Sequence, residues 1–173
     1  MKRVEKHQIV IDIAAYGWEG ESWRGFYPAD LPEDWHLDFY SNEFRSVVVP
    51  LDMWQGITAD MAEEWSYAVH AEFRFYFEAT DGQITTPEQS VAIELLGTQW
   101  GGWACRNSAG IDDAIPSIWY GGETAPRQMR EAIEQLHAAL GHNKRGVIVM
   151  DTTNEPWQVV SDMRQLVELM GYG

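Results

Sequence analysis

The sequence predicts an α/β fold: a parallel sheet of about five strands with helices between them. Two observations carry this. Short segments rich in Val, Ile and Phe alternate with longer segments of helical periodicity, and such alternation gives parallel strands joined by right-handed crossovers. The length, 173 residues, suits one domain with a real core.

The elements follow in order. Residues 8–14 are a first strand, an apolar run interrupted by Asp12. That run is too short and too polar for a signal peptide or a membrane span, which makes a cytoplasmic protein the expectation. Residues 33–43 form a weakly patterned helix with Trp35 and Phe39 on one side, and 45–50 a second strand. Residues 59–69 form a helix that gathers Met61, Trp65, Ala68 and Val69. Thr58 is its cap, and Asp60, Glu63 and Glu64 lie near its positive end. Residues 73–78 alternate, which buries the Phe side and puts Arg74, Tyr76 and Glu78 on the other face. The apolar run 90–96 reads as a fourth strand, and 97–123 as a long irregular connection. A helix over 125–140, with Thr124 as cap and Pro126 opening it, precedes a strand over 146–151. The last helix, 156–170, has Val159, Val160, Met163, Leu166, Val167 and Met170 on one stripe. Asn154 is its expected N-cap, with Pro156 in the first turn and Gly171 closing it.

Composition narrows the function. Twelve Lys and Arg against 27 Asp and Glu leave a formal charge of −15. Phosphate backbones and anionic lipid need Lys and Arg, so nucleic-acid and membrane partners are disfavoured. The lone Cys105 rules out an intrachain disulfide and any multi-cysteine metal site. Five scattered His form no zinc pattern, and no glycine run forms a phosphate loop. Asp12, inside an apolar strand, needs a partner, for which a loop arginine such as Arg24 is a candidate.

The order of several motifs resembles the domain of unknown function 72 (YecE-like) family. Ile13 to Trp18, then Trp23-Arg24-Gly25-Phe26-Tyr27-Pro28, Phe39-Tyr40 to Phe44, Val47-Val48-Val49, Trp54, Trp65 and Phe73-Arg74-Phe75 carry the likeness over residues 8–80. Val91 to Gly97, Tyr120 to Leu140 and Val147 to Met170 extend it more loosely. The resemblance implies a TIM-type barrel. This chain is about three βα units short, so a partial barrel made of strands one, two, three, seven and eight is expected. The whole chain is then one domain with the deletion near 79–90. Five strands cannot close a barrel. Open edges are expected at 73–78 and 90–96, and the inner face is left for Trp-rich loops or another subunit to cover.

The resemblance also implies a rim site, from which this chain departs. Val48 and Pro50 stand where the family has Glu and Asn, Glu78 where it has Lys, Glu94 and Leu96 where it has Arg and His. Thr152 and Thr153 stand where it has paired Asn. The phosphate- or nucleic-acid-related role suggested for the family barrel needs basic groups that are replaced here. A non-catalytic domain without a cofactor, acting as a homodimer or with a protein partner, is the leading expectation. Trp18, Trp23, Arg24, Trp54, Trp100, Trp103 and Trp119 are its candidate binding residues. The alternative is a hydrolase or isomerase using Asp52, Glu78, Glu94 and Asp151. Asp52, Glu78 and Glu94 would then hold Mg²⁺, Mn²⁺ or Ca²⁺ through oxygen ligands.

Overall fold

The computed structural model describes residues 8–106, 114–122 and 125–173. Its elements are β1 (Val10–Tyr16), α1 (His36–Glu43), β2 (Ser46–Val49), α2 (Leu51–Trp54), α3 (Ala59–Ala68), β3 (Arg74–Ala79), α4 (Pro87–Leu96), β4 (Trp100–Cys105), β5 (Ser117–Tyr120), α5 (Pro126–Ala139), β6 (Arg145–Met150) and α6 (Pro156–Leu169). The six strands form one parallel sheet in the order β4-β3-β2-β1-β6-β5. The sheet curls into a half-barrel with the helices outside.

Pleat alternation sorts the strand side chains into two cores. Ile11, Ile13 and Ala15 of β1, Val47 and Val49 of β2, Phe75 and Phe77 of β3, and Ile148 and Met150 of β6 face the helices. Ala14, Val48, Tyr76, Ala104, Val147 and Val149 form a smaller cluster on the inner face, edged by Tyr16, Ile115 and Trp119. The alternation expected for 73–78 therefore holds, with the Phe side chains under the helices and Tyr76 inward.

Several expectations are corrected. Residues 90–96 are not a strand but most of α4, opened by a capping box in which Thr86 and Gln89 bond each other's backbone N–H. The strand beside β3 is instead Trp100–Cys105, so β3 is interior and not an edge. The edges are β4 and β5, and an isolated parallel bridge, Trp103 to Ala114, ties β4 to the segment leading into β5. There the Ile115 N–H donates to the Trp103 carbonyl at 2.9 Å, and Ser117 Oγ to the Cys105 carbonyl at 3.0 Å. Gly101 lies flat against the Tyr76 ring, where an added Cβ would come within 2.7 Å of Cε1.

The inner face needs no tryptophan plug, since Tyr76 and small aliphatic side chains fill it, and Trp119 alone of the candidate tryptophans lies there. Trp18, Trp23 and Trp54 are buried between sheet and helices, and Trp100 and Trp103 pack half-buried against that same layer. At α6 the cap is Glu155 in a left-handed conformation, not Asn154, while Pro156 and Gly171 stand as expected. Thr58 caps α3, and Thr124 lies outside the described residues.

Candidate functional site

In parallel βα folds the strand C-termini form the rim on which chemistry is built. Here the inward side chains at that end are Tyr16 of β1, Glu78 of β3, Arg106 just after β4, Trp119 of β5 and Asp151 just after β6. Glu78 Oε2 accepts from the Tyr16 hydroxyl at 2.6 Å and from the Leu51 N–H, at the start of α2, at 2.9 Å. Arg106 Nε stands 3.5 Å from Glu78 Oε1, and another guanidinium nitrogen donates to Asp151 Oδ2 at 2.6 Å. The guanidinium lies 4.1 Å from the centre of a Trp119 ring and 5.4 Å from that of Tyr16. Trp54 Nε1 ties the backbone of this corner by donating to the Glu78 carbonyl at 2.9 Å.

The electrostatics are closed. Partial burial works against the Arg106 charge, but Asp151, Tyr16 and Glu78 outweigh it and hold the guanidinium firmly charged. Burial, then the Glu78 carboxylate, pushes the Tyr16 hydroxyl well above its ordinary range. Beside the cluster a cleft of about 660 Å³ runs between the ends of β1, β2 and β6, with Glu19, Asp52, Glu78, Asp151, Thr152 and Thr153 among its walls.

Of the expected carboxylates, Glu78 and Asp151 are thus brought together through Arg106. Asp52 is exposed on α2 at the cleft wall. Glu94 is not at the rim at all, because it lies on the solvent face of α4. The trio Asp52, Glu78 and Glu94 is therefore not brought together. Among the described residues no group of three or more His, Cys, Asp or Glu is arranged to hold a metal. Arg24 pairs with Glu21 on the surface and not with Asp12. The partner of Asp12 is at the opposite end of the inner face, where Arg145 donates to it at 2.6 Å and Tyr76 also donates its hydroxyl. Sequence reasoning missed Arg106, because the strand that positions it read as loop.

A curled parallel sheet with outer helices and polar groups at its C-terminal rim places the molecule in the class of βα half-barrels. The family model for the protein of unknown function DUF72 matches residues 13–170, and the chain belongs to that family. It is similar in structure to a DUF72 family protein of Thermotoga maritima, solved by crystallography. The two share 8% identity and a TM-score of 0.55, over 93% of this chain and 99% of that one, a likeness of fold. No curated protein matches the sequence. Among the described residues no helix is long and apolar enough to cross a membrane.

Proposed function

We propose that this protein is a non-catalytic member of its family that works through protein–protein contacts. The contact face is the flank of the half-barrel where α4 and β4 end the sheet. The observation that carries the reading is the outer surface of α4. Val91 and Leu95, one turn apart, are 50% and 40% exposed, and Ile84, in the connection leading into the helix, is 84% exposed. α4 packs on α3 and β4, and among the described residues no helix follows β4 to cover its far side. In a full barrel the next helix would lie there. On the same reading the shortening falls between β4 and β5, where the chain passes from one sheet edge to the other, and not near 79–90. Exposed apolar side chains grouped in this way mark interaction surfaces.

The rim supports the non-catalytic half of the reading. Its two half-buried carboxylates already have Arg106, Tyr16 and the Leu51 N–H as partners.

Site-specific photo-crosslinking in cells tests the contact face. A crosslinking residue at position 91 or 95 should give a discrete adduct, whereas one at Ala138, exposed on α5, should give none. Absence of an adduct from both 91 and 95 would overturn the reading.

A further inference from the structure

Resting on that contact face, we infer that its occupant is a different chain presenting a basic amphipathic segment, and not a second copy of this protein. The outward face of α4 carries Glu88 and Glu94 around Val91 and Leu95, since positions three and four apart share a helix face. The neighbouring α3 presents Asp60, Glu63 and Glu64 with Tyr67, which is 86% exposed. Neither helix carries a Lys or Arg. Between Arg45 and Arg106 the sequence has one Lys or Arg, Arg74, and its guanidinium is occupied at the far end of β3 by the Ala71 and Phe73 carbonyls. Among the described residues the surface is thus an apolar strip bordered by carboxylates without a local Lys or Arg counter-charge.

Two copies meeting through this face would bring like charges together, which costs affinity and slows encounter. A second copy docking through its basic residues finds most of those among the described residues already paired. Arg127 and Arg130 on α5 already pair with Glu131 and Glu134, Arg145 with Asp12, and Arg106 with Asp151. A helix with Leu-like anchors at i and i+4 flanked by Lys or Arg complements the strip in both shape and sign.

The test uses the full chain and three synthetic peptides. One is a Leu/Lys peptide patterned to place its Leu on one helical face. The second has the same composition in scrambled order, and the third is the Leu/Glu counterpart. Fluorescence anisotropy should show binding of the patterned Leu/Lys peptide, weakening as salt is raised. Binding should fall by about tenfold or more in the V91S/L95S variant, which removes two apolar anchors, and severalfold in E88Q/E94Q. The E33Q/D34N variant, which removes two exposed charges before α1, should bind as the parent does. Equal binding of the scrambled peptide, or equal loss in E33Q/D34N, would reduce the effect to general attraction by a polyanion and overturn the inference. A dimer in sedimentation that V91S/L95S dissolves would also overturn it while leaving the contact face standing. Crosslinking that fails at both 91 and 95 removes the contact face itself.

Discussion

Arg106 shows how one residue can link the ends of several strands of a curled sheet. It reaches from the edge strand β4 across the mouth to Asp151 after β6 and toward Glu78 of β3, with its flat face on Trp119. A guanidinium suits this place because it can pair and stack at once. The pair with Asp151 is partly exposed, so its worth is modest and sensitive to salt. A double-mutant cycle on Arg106→Gln and Asp151→Asn should give a coupling of about 0.5–1 kcal/mol in denaturant unfolding at low salt, shrinking in high salt. Coupling near zero would mean the two side chains are solvated separately. The sequence held one clue to this contact, an arginine a few residues past a Gly-Gly pair. Without β4 that clue has no position in the fold.

At the scale of elements, the legible parts were those with two concurring signals. The segment 73–78 alternates and also has a Phe-rich side, and α6 has both a stripe and a Pro at its first turn. The error at 90–96 came from a signal that does not discriminate. Val91-Ala92-Ile93 and Leu95-Leu96 are apolar in any arrangement, and a short apolar run fits a buried strand as well as a helix. Thr86 with Gln89 three residues on was the deciding mark, since that spacing opens helices. Conversely, Trp100-Gly101-Gly102-Trp103 reads as loop by composition. Its glycines are there because Tyr76 and Ile115 press on that strand, where added Cβ atoms would come within 2.7 Å of each. This is tertiary information that no local pattern carries. If the capping box fixes the start of α4, Thr86→Ala should cost about 1 kcal/mol of stability. It should also raise amide exchange in the first turn of α4 ahead of the rest of the sheet. Unchanged exchange there would show that packing on α3 and β4 holds the helix start without its cap.

For the whole molecule, the two cores leave it sensitive to alkali. Burial, first among the causes, raises the hydroxyls of Tyr27, Tyr40 and Tyr76 above the ordinary 10.0, and at Tyr76 the Asp12 carboxylate adds to it. The folded state therefore keeps these protons where the unfolded chain releases them. Their contribution is complete below the unfolded value and is lost as pH rises toward the folded values, by about 1.4 kcal/mol per tyrosine per pH unit above 10. Thermal stability should fall steeply above pH 10, and tyrosinate absorbance from these rings should appear only as the protein unfolds. Gradual ionisation of all tyrosines in the folded protein would contradict this. The sheet order bears on biosynthesis as well. β1 lies in the middle of the sheet between β2 and β6, and its register with β6 joins Val10 to Arg145. A chain emerging from the ribosome can assemble β1 to β4 early, but one side of its central strand stays unpaired until β6 has been made. During that interval the apolar edge of β1 is open to other strands, as unpaired edges in slowly completed parallel sheets are.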